Sequence, residues 1–174
     1  MLARMDVAEL ACCRFLNRST ELTLVRAFFR VISRLSDGVF WYGLMLMLPL
    51  AYGEIGARVT LQMALTALVG LALYRCLKSR FVRERPHVSH AAVRAAAPAL
   101  DRYSFPSGHT LHAVAFTLLA IAPFPELASL LVPFAVLVAL SRVILGLHYP
   151  SDVLAGGAIG YALAALSTLL VNAI

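Results

Sequence analysis

The stretch SRVILGLHYPSD, residues 141–152, places an arginine, a histidine and an aspartate inside or beside an otherwise apolar run. Ionisable groups at membrane depth are energetically costly, so those that occur there usually serve a function. Two earlier stretches carry the same mixture of cationic groups, histidine and helix-start residues: KSRFVRERP at 78–86 and PSGH at 106–109. We therefore predict that the three stretches meet in one polar site.

The composition predicts an integral membrane protein. Of the 174 residues, 61% are hydrophobic and only 14% are charged, and the mean hydropathy is +0.83, well outside the usual soluble balance. A net charge of +6 would suggest nucleic acid in a soluble protein. Here the arginines alternate with apolar segments, so we expect no nucleic-acid partner and instead an anionic lipid headgroup or phosphate. Three cysteines without a CxxC spacing predict neither a disulfide framework nor a structural zinc site.

The chain is predicted to form one domain, 1–174, of the all-α class: a polytopic transmembrane bundle of about five to six spans with an N-terminal amphipathic helix. In residues 1–37, Arg26, Arg30 and Arg34 recur every four positions among apolar residues, which predicts a basic helix lying in the membrane interface. Charged residues interrupt this region, so no signal peptide is expected. The catalytic bundle is assigned to 38–174, with five apolar runs at 39–53, 59–77, 108–125, 127–145 and 153–173.

Successive membrane-spanning segments end on alternating faces of the membrane, which tests, without reference to any motif, whether the three stretches can form one site. The stretch 78–86 follows the second run, 106–109 opens the third, and 141–152 joins the fourth to the fifth. If every run crosses the membrane, all three stretches emerge on the same face. The opposite face then receives little more than Glu54, Arg58, Glu126 and the C-terminus. The polar connection 79–105 is predicted to fold over one membrane face.

His148 is the most reactive candidate, because a neutral imidazole nitrogen can attack phosphorus and form a phosphohistidine. Asp152, four residues on, could accept a hydrogen bond from the ring and fix its tautomer. Pro150 marks a helix start, and Ser151 could cap it. The alternative is structural: an interfacial histidine, with Asp152 as a first-turn acid that interacts favourably with the helix dipole.

PSGH is typical of a helix start that can hold an anion. Ser107 can cap the helix, and the amides of Gly108 and His109 would bind a phosphate oxygen at its positive end. His109 is then placed to protonate a leaving oxygen and later to activate water. An ordinary capped helix explains the tetrad equally well. His112 shares a face with His109 and is either its partner or a polar interfacial residue.

Lys78, Arg85 and Arg142 supply the positive charge that phosphoryl transfer needs. Arginine can bind two phosphate oxygens at once, whereas lysine contributes a point charge. Four other arginines are interpreted as facing headgroups or solvent, without a catalytic role: Arg80, Arg83, Arg94 and Arg102.

The three stretches together resemble the signatures of the type-two phosphatidic acid phosphatase family, whose fold is shared with vanadium-dependent haloperoxidases. They match a lysine, six residues and Arg-Pro; the PSGH tetrad; and Ser-Arg, five residues, His, three residues, Asp. The close resemblance covers about residues 75–155, and the N-terminus departs from it, since a six-helix member would have another clear span there.

This resemblance implies roles for the matching positions. His148 would be the nucleophile, Asp152 its orienting partner and His109 the acid on the leaving-group side. The phosphate would be held by five residues: Lys78, Arg85, Ser107, Gly108 and Arg142. The family uses no metal, so no cofactor is expected, in line with the lack of a carboxylate cluster in the motifs.

The leading hypothesis is thus a lipid phosphatase acting on phosphatidic acid, phosphatidylglycerophosphate or undecaprenyl diphosphate. The alternatives are a lipid A phosphatase of the same family and a membrane protein that binds or transports phospholipids without cleaving them. Haloperoxidase chemistry is disfavoured in so short and apolar a chain. The expected partners are the substrate and the bilayer, with no obligate protein partner.

Counting basic residues would put the site in the cytoplasm, whereas the resemblance implies a plasma (inner) membrane protein with an extracytoplasmic site.

Overall fold

The computed structural model describes residues 2–99 and 101–172, and within them the chain is helical with no β-strand. Residue 1 and residues 173–174 of the predicted domain, which include the end of the run 153–173, lie outside the described residues, as does residue 100. The helices are α1 Leu2–Arg18, α2 Thr23–Arg34, α3 Phe40–Arg80, the single turn α4 Pro86–Ser89, α5 Gly108–Ile121, α6 Ala128–Ile144 and α7 Pro150–Asn172. The predicted all-α membrane bundle is confirmed.

The long helix α3 is a hairpin of two limbs. Gly53 has a φ of 58°, outside the helical range, and the chain reverses there. After the bend, Thr60 donates a hydrogen bond of 2.9 Å to the carbonyl of Met45, which precedes the bend. The predicted runs 39–53 and 59–77 therefore lie side by side in opposite directions.

In the described part of the chain, three helical stretches are long and apolar enough to cross a membrane: Thr23–Arg80, which includes the hairpin, Pro125–Ile144 and Pro150–Asn172. α5 is apolar but shorter, with 14 residues. The predicted run 108–125 overestimates it, because Pro123 and Pro125 cannot continue a helix. The exact number of crossings stays a prediction.

The outer surface of the bundle is apolar, as a bilayer requires. Leu61, Leu65 and Leu68 on α3 are more than half exposed, as are many side chains on α6 and α7. On α2, Leu24, Phe28 and Val31 are exposed at helical spacing, whereas Ile32 and Ser33 are buried. α2 therefore presents one apolar face outward and packs its other face on the bundle.

Close contact between α5 and α7 fixes the end of the bundle that carries the motifs. A Cβ atom on Gly156 would lie 2.4 Å from the carbonyl oxygen of Ser107, and one on Gly160 would lie 2.3 Å from that of Leu111. Only glycine permits this approach, in the small-xxx-small manner of membrane helices. The start of α5 is thereby held against the first turns of α7, and the Ser107 amide donates to the carbonyl of Asp152 at 3.0 Å.

Candidate active site

The third motif stretch forms the floor of the site. Every residue from 141 to 149 is buried. The amides of Leu147 and His148 both donate to the carbonyl of Arg142 at 3.0 Å, which closes the turn between α6 and α7. α7 begins at Pro150, as predicted. These two hydrogen bonds fix the backbone of His148 next to that of Arg142.

Lys78 and Arg85 of the first stretch converge on one carboxylate, that of Asp101. Lys78 and Tyr74 each bind one oxygen of this carboxylate at short range, and the Nη2 atom of Arg85 donates to it at 2.7 Å. Arg85 also donates to the carbonyl of Leu147 at 2.7 Å. The first stretch is thus tied to the third, and the two cations are already arranged around an anionic group.

Arg85 reaches His148 as well. Its Nη1 atom lies 3.2 Å from Nε2 of the imidazole. Because a guanidinium can only donate, Nε2 is the accepting, unprotonated nitrogen and Nδ1 carries the ring proton. Nδ1 faces Asp152, with 3.8 Å to Oδ2. That distance places the predicted pair at ion-pair range rather than in a hydrogen bond.

The environment keeps the imidazole of His148 neutral. Burial lowers its pKa below the ordinary value of 6.5, and the charges of Arg142 and Arg85 lower it further against the opposing effect of Asp152. A lowered pKa means that the neutral form, which is the nucleophilic one, persists well below pH 6.5. The lone pair of Nε2 accepts a hydrogen bond from Arg85 and therefore points towards the cationic groups.

Asp152 is fully buried, and its carboxylate connects the start of α7 to the segment that follows α3. Its Oδ2 atom accepts from the backbone amide of Tyr149 at 2.8 Å, and its Oδ1 atom accepts from Arg83 at 2.8 Å. Ser151 does not cap α7 but lies inside it, and its amide donates to Glu9 at 2.8 Å. A carboxylate from α1 therefore satisfies the start of α7.

The prediction that Arg83 faces headgroups or solvent is wrong, because its side chain is bound within the protein. Its guanidinium donates to Asp152, to Ser151 at 2.7 Å and to Glu9 at 2.6 Å, and it lies 4.0 Å from the ring centroid of Tyr149. These acceptors hold the pKa of Arg83 above its ordinary value despite burial. The prediction failed because the chain after α3 turns back over α7. The other three arginines, Arg80, Arg94 and Arg102, are exposed as predicted.

Ser107 caps α5 as predicted. Its Oγ atom accepts from the amide of Thr110 at 3.4 Å and contacts the Thr110 hydroxyl at 2.9 Å. Gly108 is the first helical residue, with the ring of Tyr74 against it. Tyr74 also binds Asp101, so the start of α5, where an anion site is predicted, adjoins the cluster formed by Lys78 and Arg85.

Arg142 is buried at 2% exposure, and within the described residues its guanidinium makes one hydrogen bond, from Nη1 to the hydroxyl of Ser33 on α2 at 2.6 Å. Its Nε atom has no partner in the described part of the chain, and neither has Nδ1 of His148. Buried polar atoms normally find partners. Nδ1 of His148 faces Asp152, so the unpartnered Nε atom of Arg142 is the one that suits a polar ligand.

His109 lies at the head of a groove between α3 and α5. Its Nε2 atom binds the carboxylate of Asp37 at short range. The groove has a volume of about 560 Å³. Its lining residues come from three segments of the chain: residues 36–45, residues 64–74 and residues 108–116. Asp37, Tyr74 and Gly108 lie at the end of the groove that adjoins the site. His112 lines it too, but its Nδ1 atom binds the Gly108 carbonyl of its own helix rather than His109.

The structure therefore brings residues of all three predicted stretches to one end of the bundle. Five functional candidates were missed from the sequence: Tyr74, Arg83, Asp101, Asp37 and Glu9. None of them carries a local signal, since each gains its partner only through the fold. Among residues 2–99 and 101–172, no group of three His, Cys, Asp or Glu side chains is arranged to hold a metal ion.

The Asp101 cluster predicts a pH-dependent stability. Burial raises the pKa of Asp101, but hydrogen bonds from Lys78, Tyr74 and Arg85 outweigh it and lower the pKa from 3.8 to about 2. A lowered native pKa stabilises the fold above about pH 4, and this contribution is lost as the pH falls towards 2. Thermal unfolding followed by circular dichroism should show Asp101→Asn melting below wild type at pH 7, with the gap closing between pH 4 and 2. A gap that stays constant would contradict the prediction.

Fold and site define a helical integral membrane protein with a buried, cationic, histidine-containing site at one end of its bundle. The chain belongs to the PAP2 superfamily, whose family model matches residues 58–174. It is 32% identical over 114 residues to undecaprenyl-diphosphatase BcrC of Bacillus subtilis, which is 65% of this chain and 58% of that relative. The chain thus spans little more than half the length of this curated relative.

Two solved structures share the fold. Aquifex aeolicus LpxE superposes with a TM-score of 0.80 at 26% identity, covering 91% of this chain and 93% of that one. A transmembrane PAP2-type phosphatidylglycerolphosphate phosphatase from Bacillus subtilis gives 0.79 at 23% identity, covering 98% and 88%. The predicted family and fold class are confirmed.

Proposed function

We propose that this protein is a membrane lipid phosphatase that removes the terminal phosphate of a lipid phosphate or diphosphate through a phosphohistidine at His148. The observation that carries the proposal is the orientation of this imidazole. Arg85 binds Nε2 at 3.2 Å, so the lone pair faces the cations that would hold the phosphate, and the protonated Nδ1 faces Asp152.

The reaction then has two steps. Nε2 of His148 attacks phosphorus while the bond from phosphorus to the lipid oxygen breaks, and His109 gives that oxygen its proton. Water next attacks the phosphohistidine, His109 takes up a proton from the water, and the bond from nitrogen to phosphorus breaks to release inorganic phosphate. Asp152 stays charged beside Nδ1 and stabilises the positive ring of the intermediate.

The phosphate is held by Lys78, Arg85 and Arg142, by Ser107 and by the Gly108 end of α5. In this arrangement the substrate replaces the carboxylate of Asp101 at Lys78 and Arg85. Positive groups that are fixed before the reaction stabilise the transition state without reorganisation. No step of this scheme requires a metal ion.

The groove between α3 and α5 accommodates the lipid. It runs eight to ten residues along each segment, which is about 12–15 Å at the helical rise, and it opens where Tyr42 and Leu68 are exposed. A polyprenyl diphosphate is the favoured substrate, supported by the name of the Bacillus relative. Phosphatidic acid, phosphatidylglycerophosphate and a lipid A phosphate are the alternatives.

A substrate panel tests the proposal. Purified protein in detergent should release inorganic phosphate from at least one of these lipids, with activity that survives EDTA and is inhibited by vanadate, which resembles five-coordinate phosphorus. Binding of the lipids without phosphate release would instead support a binding or transport protein, because binding needs only the cations.

The site is further proposed to lie on the extracytoplasmic face of the plasma (inner) membrane. Ser89 is exposed in the loop beside the site. In a variant whose three cysteines are replaced, Ser89→Cys should react with an impermeant maleimide added to intact cells. Labelling only after lysis would reverse the orientation.

A further inference from the structure

We propose that Asp37 is a positioning residue that orients His109 for proton transfer to the leaving group; the inference rests on the proposed phosphatase function. Asp37 lies outside the three motif stretches and outside residues 58–174, which the family model matches. Its carboxylate binds Nε2 of His109.

The contact decides which nitrogen does the chemistry. With Nε2 engaged by the carboxylate, Nδ1 is the nitrogen left to exchange a proton with the leaving oxygen. The carboxylate thus fixes the orientation of the ring at the edge of a site that holds three cationic side chains.

The backbone holds Asp37 where it is needed. Asp37 lies in the irregular turn Leu35–Val39 between α2 and α3. Ser36 donates to the carbonyl of Ser33 at 2.7 Å, and the hydroxyl of Ser33 accepts from Arg142. One short segment therefore contacts both a phosphate-binding arginine and the predicted acid.

Asp37 also lies at the leaving-group side of the site. It lines the groove together with His109, Tyr74 and Gly108, and its side chain is 37% exposed, whereas that of His109 is 12% exposed. A lipid lying in the groove with its phosphate at the cationic site would place its bridging oxygen near this pair.

The test is the dependence on the leaving group. A lipid alkyl monophosphate needs a protonated leaving oxygen, whereas p-nitrophenolate leaves without one. Asp37→Asn should lower kcat/KM, which covers only the steps up to formation of the phosphohistidine, by about 10- to 100-fold on the alkyl monophosphate and by less than about threefold on p-nitrophenyl phosphate. Asp37→Glu should restore part of the loss, and Glu126→Gln, at the far end of the bundle, should match wild type. An equal loss on both substrates would overturn the inference.

A double-mutant cycle on the lipid substrate gives a second, independent reading. If Asp37 acts through His109, adding Asp37→Asn to His109→Gln should change kcat by less than about twofold. Additive losses would overturn the inference. A wild-type protein that releases no phosphate would remove the proposed function and this inference together, whereas an active wild type with an unaffected Asp37→Asn would remove this inference alone.

Discussion

Replacing His148 with glutamine is expected to lower phosphate release by at least about 10,000-fold, because loss of a nucleophile removes the covalent route altogether. Glutamine keeps a polar side chain of similar reach, so Arg85 retains an acceptor close to the position of Nε2. The measurement is initial-rate phosphate release from the best substrate of the panel, at equal amounts of monodisperse protein.

The histidine also has a direct chemical readout. Wild-type protein mixed with substrate labelled on its terminal phosphate and quenched in alkali should carry label that is stable to base and labile to acid, the behaviour of a phosphohistidine. His148→Gln should carry none. Label retained in the variant would move the nucleophile elsewhere.

His90 offers the matched control for this experiment. It lies in the loop beside the site, with its ring 6.5 Å from that of Tyr149, and it has no place in the proposed mechanism. His90→Gln should keep wild-type activity and wild-type labelling. Equal loss in both variants would indicate a general effect of histidine replacement in this region.

The bundle was predictable from the sequence because its signals are local. The apolar runs give the helices, Pro150 gives the start of α7, and Ser107 gives the cap of α5. The alternation of runs then places all three motif stretches at one end. The end of α5 was set too late only because Pro123 and Pro125 were included in its apolar run.

The partners of the site residues were not predictable, because they come from remote parts of the chain. Glu9 binds the Ser151 amide across 142 positions, and Ser33 binds Arg142 across 109. A charged residue in an amphipathic or loop segment is ordinarily solvated, so nothing in the local sequence distinguishes Glu9 or Asp101 from a surface acid. One tertiary signal was available: the spacing of Gly156 and Gly160 is typical of closely packed membrane helices.

The N-terminal region therefore has a larger part in the site than its composition indicates. The prediction of a basic interfacial helix describes its outer face only. On the inner face, Asn17 donates to the carbonyl of Ile144 at 2.9 Å, and Cys13 packs below the carbonyl of His148. Together with Glu9 and Ser33, these contacts brace the turn that carries the proposed nucleophile.

Replacing Asp152 with asparagine is expected to lower kcat on the order of 1,000-fold while leaving the shape of the side chain unchanged. The carboxylate is fully buried, and it is 3.8 Å from Nδ1 of His148. Once phosphorus is attached to Nε2 the ring is positive, and asparagine supplies no charge to stabilise it. The slow step should therefore be formation of the phosphoenzyme, measured by rapid-quench labelling.

Replacement of Arg83 distinguishes the electrostatic role of Asp152 from a structural role. Asp152→Asn also removes an ion pair to Arg83, which keeps its second partner, Glu9. Arg83→Gln breaks the same pair but leaves the charge beside His148, so its loss of kcat should be no more than about tenfold, in the range expected for a partly exposed ion pair. Equal losses in the two variants would mean that Asp152 acts by holding Arg83 rather than by stabilising the imidazolium of His148.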